Sequence, residues 1–522
     1  MANKLSRRTF IAASAGAGAA LAAGRAWGAP GDRAAAQPNV LVIHTDQQRY
    51  DALGACGNPD LKTPHIDALA RDGVNYTNSF CPYPVCTPSR YSLLSSRYVH
   101  EHGCWNNHCT LEPGTPTFAS VLRDAGYRTT AVGKMHFTPT YLDVGFDRMV
   151  LAEQNGPGRW DDDYHRMLRA EGLVDRNDLE DQLLQYRNKA RDAYWETFGA
   201  LPSNLPEEYH STHWTGDRAM DELRDWAGGG NLLMVGFIKP HHPFDPPANW
   251  ADRYDPDKLT ILPGWTAEPP AHDLALSKGY FPHTDLTEKA LRRVMAYYYA
   301  TISQIDEQVG RMVARLKAQG LYDNTLIIVT SDHGEYLGFH HMLLKGNHMY
   351  DPLAKVPLIV KYPGSSRAGT ATNALINNVD VAPTIIETAG CTVPEAMRGQ
   401  ALLRDTPGRS HVFSESHGGT RVLVRTETHK LLLGPKRGEA FLYDLADDPN
   451  ELDNRYDNPD YAAVQASLHE HLGQWHTPKR LPNAPLDENA PVIDQPNVRG
   501  PGHDHREDIG LYYRDQMEAF NE

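Results

Sequence analysis

Cys86-Thr87-Pro88-Ser89-Arg90 sets one thiol ahead of a proline, a serine and an arginine, a pattern that a fold has little need of and that a cysteine-modifying enzyme can read. Taken alone, Cys86 reads equally well as a buried thiol before a proline-started helix. Its company points to chemistry. Asp46-Gln47 follows the apolar run Asn39-Val40-Leu41-Val42-Ile43, and Asp332-His333-Gly334-Glu335 follows Thr325-Leu326-Ile327-Ile328-Val329. Short Val/Ile/Leu runs that end in Asp predict central strands of a covered sheet whose carboxyl ends meet at a site. The carboxylates there favour a hard cation, whereas the Cys and His spacings match no usual zinc pattern.

Those strands need partners to hold them. The pattern predicts a helix near Pro64–Arg71, a helix from Pro88, another over Thr117–Asp124, and strands at Tyr127–Val132 and Asn231–Ile238. Within residues 284–319, Val294, Tyr298, Ile302, Ile305, Val309, Met312 and Leu316 recur at three- and four-residue steps, the stripe of a long helix packed on a sheet. Core packing accounts for all of them. Residues 139–229 carry more charge and less periodicity, which reads as a surface insertion at the substrate entrance. From about His411 the pattern turns to short alternating runs, Thr420–Thr426, His429–Leu433 and Ala440–Leu445, predicting a small antiparallel sheet. A Pro/Asp/Asn-rich tail follows from about Pro478 to Gly502. The expected units are a targeting segment at 1–36, an α/β domain at 38–400, a small α+β subdomain at 401–477 and a surface-packed tail at 478–522.

Composition bounds the function. With 522 residues, 40% of them apolar and 22% charged, the chain is globular and large enough for a core plus a smaller companion. A net charge of −15 with no Lys/Arg-dense stripe argues against a nucleic-acid partner. Cations focused in a cleft, drawn from Arg90, Lys134, Lys239 and Lys345, would still hold a small anion. Six cysteines are too few for a disulfide framework in a chain this size; Cys104 and Cys109 are near enough in sequence to pair, or all are thiols. Arg7-Arg8 ahead of an Ala/Gly-rich stretch reads as a twin-arginine export signal, cleaved near Ala29 or Ala36. That stretch is short for a membrane span, so the mature form is expected in the periplasm or outside the cell, without an anchor.

With these residues in view, the chain resembles the type I, formylglycine-dependent sulfatases of the alkaline-phosphatase-like superfamily, from about Asn39 to Phe441-Leu442-Tyr443-Asp444-Leu445. The resemblance also rests on Thr45-Asp46-Gln47-Gln48-Arg49, Thr63-Pro64-His65-Ile66-Asp67-Ala68-Leu69-Ala70 and Gly133-Lys134-Met135-His136. It implies an α/β fold with a large mixed sheet flanked by helices and a small C-terminal antiparallel sheet. It also implies that Cys86 is oxidised to formylglycine by a formylglycine-generating or sulfatase-maturing enzyme, before the export machinery carries the folded chain out. One hydroxyl of the aldehyde hydrate then attacks sulfur and the other expels sulfate, so serine, with a single hydroxyl, would not turn over.

By the same resemblance, Asp46, Gln47, Asp332 and His333, with residue 86, hold the metal. Most sulfatases have a second aspartate where this chain has Gln47, and commonly an asparagine in place of His333. Calcium is the first expectation; the imidazole keeps magnesium and manganese open. Arg90 would orient the nucleophile, Lys134 and Lys345 would contact the sulfate, and His136 would be the base for collapse. His241, in Lys239-Pro240-His241-His242-Pro243, would donate a proton to the leaving oxygen or bind the sulfate, with His242 behind it. The substrate is expected to be a sulfated small molecule or glycan, with Trp105, Asn106, Asn107, His108, Trp160, Trp214 and Trp250 available to a sugar. The phosphonate monoester and phosphodiester hydrolases share the Asp-Gln and Asp-His pairs. The choline sulfatases share Gly133-Lys134-Met135-His136-Phe137. A degenerate glycan-binding protein is the non-enzymatic alternative.

Overall fold

A computed structural model describes residues 37–154, 160, 162–277, 279–403, 408–476, 480–495 and 505–520; the expected twin-arginine segment lies outside them. Nine strands form a mixed sheet: β1 (Asn39–Asp46), β2 (Val74–Phe80), β3 (Arg128–Gly133), β4 (Arg148–Leu151), β5 (Asn231–Pro240), β6 (Thr325–Ser331), β7 (Lys355–Val356), β8 (Leu358–Lys361) and β9 (Thr370–Asn377). Their order is β4-β3-β5-β1-β6-β8-β2-β7, with β9 beside β2. The block from β4 to β6 is parallel, and β8 runs against both β6 and β2.

Both faces of this block are covered, which is why β1 and β6 read as unbroken apolar runs. Leu41, Ile43, Leu233, Val235, Ile327 and Val329 pack against the long helix Glu288–Ala318. Val40, Val42, Leu232, Met234, Leu326 and Ile328 pack on the other side with Leu93, Leu122 and Ile385. All seven stripe residues of the long helix are buried, and Thr287 caps it by accepting a hydrogen bond from the Ala290 amide. At the C-terminal end, β10 (Val412–Ser416), β11 (Arg421–Arg425), β12 (His429–Leu433) and β13 (Ala440–Asp444) form the small antiparallel sheet, one strand more than the alternation predicts.

Three expectations need correction. The Cys86–Ser95 helix begins two residues before Pro88, because the opening amides of a helix have no intrahelical acceptor and a proline there forfeits no bond. Residues 139–229 are not merely a surface insertion. They supply the edge strand β4 and the helix Ser211–Arg224, whose Thr215, Ala219 and Leu223 are fully buried. Their helices are mostly short and bury polar groups in pairs, which erases periodicity. Lys239 is not a cleft cation: it is buried against Asp245 and donates to the Pro243 carbonyl at 2.7 Å.

All six cysteines are free thiols. Among the described residues, no helix is long and apolar enough to cross a membrane.

Candidate active site

The sheet register assembles the site. Thr45 pairs with Ser331, which sets Asp46-Gln47 beside Asp332-His333, and Asp46 pairs with Pro240, which brings His241 alongside. β3 enters through two glycines in close approach: a Cβ on Gly133 would lie 2.0 Å from the Gly236 carbonyl oxygen, and one on Gly236 would lie 2.0 Å from that of Lys134. Lys134 thereby bonds through its amide to Gly236 at 2.7 Å and turns its side chain inward. Four parallel strands deliver their carboxyl ends to one place, as open α/β sheets do at ligand sites.

Cys86 opens a helix whose ten residues are all buried. Its Sγ lies 3.6 Å from Asp46 Oδ1 and 3.3 Å from His333 Nε2, and Lys345 Nζ donates to it at 3.1 Å. Ser89 Oγ donates to the Asp332 carbonyl at 2.6 Å, locking the helix start against β6. Arg90, one turn on, forks between Asp332 Oδ2 (3.0 Å) and Asp46 Oδ2 (3.1 Å) and donates to the Lys134 carbonyl at 2.7 Å. Lys134 Nζ reaches Asp46 Oδ2 at 2.7 Å. Two buried carboxylates thus face three cations. Burial alone would raise the Asp46 pKa, but Lys134, His241, Arg90 and Lys345 outweigh it and hold it well below the carboxylate range. Burial, then Asp46, pushes the Cys86 thiol up to about 11.

Asp46, Cys86, Asp332 and His333 each offer a donor atom within 4.8 Å of the others. His333 Nδ1 donates to the Gly334 carbonyl at 2.9 Å; a carbonyl only accepts, so Nε2 carries the lone pair, which here faces Lys345 Nζ at 3.2 Å and which a metal would take. Gln47 lies beside these four, bonded through its amide to Asp332. Its Nε2 donates to Glu335 Oε2 at 2.5 Å, and its Oε1 is buried with no hydrogen-bond partner, the orphan acceptor a cation would satisfy. Gln47 sits in the left-handed region (φ 63°), held by its amide on Asp332 Oδ1 at 3.0 Å and by the Tyr298 hydroxyl on its carbonyl at 2.8 Å.

His136, also left-handed (φ 61°), is pinned by backbone bonds from its amide to Glu153 Oε1 at 2.9 Å and from Thr87 Oγ1 to its carbonyl at 3.1 Å. Both of its ring nitrogens are buried without a hydrogen-bond partner. Burial, then Lys134 and Arg90, holds the imidazole well below its usual pKa, so it is neutral. His241 donates from Nδ1 to the His242 carbonyl at 2.7 Å, and its Nε2 accepts from Lys345 at 3.1 Å. His242 stacks on it at 4.1 Å but bonds away from the cluster, Nδ1 to Asp181 Oδ1 at 2.5 Å.

Asp46, Gln47, Cys86, Arg90, Lys134, His136, His241, Asp332, His333 and Lys345 come together here, whereas Lys239 does not. Sequence reasoning missed the site's supports: Glu153, Asp181, Glu335 and Gln154, whose Oε1 accepts from Lys134 Nζ at 3.4 Å. Of these, only Glu335 carried a signal, adjacency to Asp332-His333. Of the side chains considered for a sugar, Trp105, Trp214 and Trp250 are buried. Trp160 stacks on Tyr513 at 4.7 Å. Asn107 does reach the site, its Oδ1 accepting from the Thr87 amide at 3.1 Å.

Comparison with known proteins gives the family. Residues 38–391 match the family model described as sulfatase, and residues 338–477 match the one described as N-sulphoglucosamine sulphohydrolase, C-terminal. An arylsulfatase of Clostridium perfringens is 29% identical over 462 residues, covering 81% of this chain and 91% of that protein. An N-acetylglucosamine-6-O-sulfatase of Bacteroides thetaiotaomicron is 26% identical over 510 residues, covering 88% of this chain and 89% of that protein. The crystal structure of a phosphonate monoester hydrolase of Agrobacterium radiobacter superposes with a TM-score of 0.71 at 25% identity, covering 88% of this chain and 100% of that one. The chain is a hydrolase that belongs to the sulfatase family, within the alkaline-phosphatase-like superfamily.

Proposed function

We propose that the protein removes sulfate from an organic ester, a carbohydrate sulfate, with Cys86 oxidised to formylglycine as the nucleophile. The observation that carries this reading is Cys86 seated against Asp46, His333 and Lys345, with Arg90 bridging both aspartates. The Cys86-Thr87-Pro88-Ser89-Arg90 pattern at the start of this buried helix supports a modified residue 86.

Asp46, Gln47, Asp332 and His333 would hold a divalent cation, calcium first and magnesium or manganese next, which when bound polarises an oxygen of the ester and acidifies the nucleophile. Arg90 holds both aspartates in place through its two charge-assisted hydrogen bonds. Lys134 and Lys345 supply charge for the sulfate oxygens, and neutral His136 takes the proton released when the enzyme-bound sulfate is expelled. At His241 the proton available to the leaving oxygen belongs on Nε2, since Nδ1–H is committed to a carbonyl. An anionic ester favours that protonation by offsetting Lys345.

Cys86 is fully buried, so its oxidation by a maturing enzyme belongs before folding is complete. Export of the folded chain by the twin-arginine route, to the periplasm or beyond, is part of this reading and is supported by Arg7-Arg8. So is the division into a catalytic unit at 38–400, a companion at 401–477 and a tail at 478–522. A second reading, phosphonate monoester hydrolysis, is favoured by the Gln47 and His333 donors and by the likeness to a phosphonate monoester hydrolase. Both substrates are monoanions, so the cations do not choose between them. Initial rates on matched aryl sulfate and aryl phosphonate esters do: a large phosphonate preference in kcat/KM rejects the sulfatase reading.

A further inference from the structure

The loop that delivers Lys345 is built against backbone preference. Between Glu335 and Lys345, four non-glycine residues take the left-handed region that side chains disfavour: Leu337 (φ 44°), His340 (φ 49°), His341 (φ 64°) and Leu344 (φ 68°). Such a conformation persists only where its surroundings over-determine it. Glu335 Oε1 ties the two ends together by accepting the amides of Leu337 and Leu344. The tip is fastened to neighbouring segments by the His340 amide on the Gly264 carbonyl at 2.8 Å and by both histidine rings. His340 Nδ1 lies 2.7 Å from Asp273 Oδ2, and its Nε2 donates to the Asn450 carbonyl at 2.7 Å. His341 Nδ1 lies 2.8 Å from the Thr266 carbonyl and its Nε2 3.0 Å from the His283 carbonyl.

The partners of His341 decide its protonation. A backbone carbonyl only accepts, so each ring nitrogen must carry a hydrogen, and only the imidazolium has two. A neutral ring of either tautomer would aim a lone pair at a carbonyl oxygen. At His340 a proton on Asp273 can serve instead; neither partner of His341 has one to give. The surroundings suit a cation. Trp265 stacks on the buried His341 ring with centroids 4.6 Å apart. Glu268 and Glu288 line a cavity of about 360 Å³ with these two rings, and Arg292 lies 3.8 Å from Glu288. The His283 imidazole is held down to about 4 by burial and is neutral. On the loop itself the charged groups are Lys345 and the His340–Asp273 pair.

We propose that His341 is a positioning residue for Lys345, acting as an imidazolium that ties the loop to the carbonyls of Thr266 and His283. Lys345 thereby keeps its Nζ 3.1 Å from Cys86 Sγ and 3.1 Å from His241 Nε2. Below the pH at which His341 loses its proton both ties are present. Above it, one tie becomes a repulsion between two lone pairs, so the loop loosens as pH rises. The consequence for catalysis rests on the reading of Lys345 as a sulfate contact; the tie itself does not.

The first test is hydrogen exchange of residues 336–344 at pH 6 and pH 9, read by mass spectrometry and corrected for the intrinsic rate, in the parent, His341→Phe and His341→Gly. A hydrogen bond from a charged donor is worth about tenfold or more. Protection of the parent loop is therefore expected to fall about tenfold or more between the two pH values while that of β1 and β6 does not. His341→Phe keeps a ring for Trp265 but neither donor, and His341→Gly suits the left-handed backbone should the first variant misfold. In either, the loop should already be open at pH 6, with a pH effect below about threefold. Equal protection of the parent loop at both pH values, or parent-like protection in the variants, overturns the proposal. The second test is kcat/KM for p-nitrophenyl sulfate at pH 6. His341→Phe should lower it about tenfold in the parent but less than about threefold when Lys345→Ala is already present, because His341 acts through Lys345. An equal loss on both backgrounds, or none in the parent, overturns the positioning role. A parent that cleaves aryl phosphonate and no sulfate ester rejects the sulfatase reading instead, and the same cycle on the phosphonate then decides His341.

Discussion

Replacing Gln47 by glutamate would restore an acidic residue where most of the family has aspartate, and the structure predicts that it damages the fold. Gln47 Nε2 donates to Glu335 Oε2 at 2.5 Å, with both side chains fully buried. Two carboxylates at 2.5 Å repel by about 7 kcal/mol at an effective dielectric of about 20. Keeping one of them protonated at pH 7 costs about 3.7 kcal/mol from an ordinary Glu pKa of about 4.3, so the pair takes the proton and the variant bears that loss. Burial already raises Glu335 in the parent, which adds to the difficulty of ionising both.

A carboxyl whose folded pKa is raised costs nothing below its unfolded pKa and progressively more as pH climbs toward the folded one. The loss in Gln47→Glu is therefore expected to be about 1 kcal/mol at pH 5 and about 3–4 kcal/mol at pH 7. Geometry also supplies the rescue. Glu335 Oε1 accepts the amides of Leu337 and Leu344, while Oε2 alone serves Gln47. Adding Glu335→Gln keeps the first oxygen and turns the second position into a donor for the carboxylate introduced at position 47. The double variant should return to within about 1 kcal/mol of the parent. The assay is denaturant unfolding of chelator-treated protein at both pH values. Parent-like stability of the single variant at pH 7, or a double variant no better than the single, would refute the reasoning.

Three further outcomes are expected. Peptide mass spectrometry should find formylglycine at residue 86 in proportion to specific activity, and Cys86→Ser should fold without steady-state turnover; full activity from unmodified Cys86 contradicts the proposed nucleophile. Arg90→Lys keeps the charge but cannot fork to both Asp46 and Asp332. It should cost about 1.5–3 kcal/mol of stability together with most of the activity, and a neutral result in unfolding would show that the fork is not what holds the aspartates. Asp332→Ala should lower kcat/KM for every ester alike, whereas His241→Ala should hurt esters of basic alcohols most. A flat loss across alcohol pKa for His241→Ala leaves it a sulfate contact, and a graded loss for His242→Ala instead moves the proton donor by one residue.

The residues proposed as catalytic were legible because each sits at a fixed offset from a local pattern. Asp46 and Asp332 end apolar runs, Arg90 lies one helical turn past Cys86, and Lys134 and His136 follow a strand through Gly133. Strand periodicity and the cysteine signature are properties of neighbouring residues, and they determine the mixed sheet, the long helix and the acid-bearing strand ends. The sheet order is not local, and it alone decided which ends meet. Pairing of Asp46 with Pro240 and of Thr45 with Ser331 joined residues some two hundred to three hundred positions apart. Lys239, read from sequence as a cation for the anion, was claimed by Asp245 because burial leaves a lysine no cheaper partner. Residues 139–229 looked like surface because charge was counted and pairing could not be. Folded, they place Glu153 under His136 and Asp181 behind His242, contacts that no spacing rule encodes, since each carboxylate meets its partner only after the sheet has closed over both.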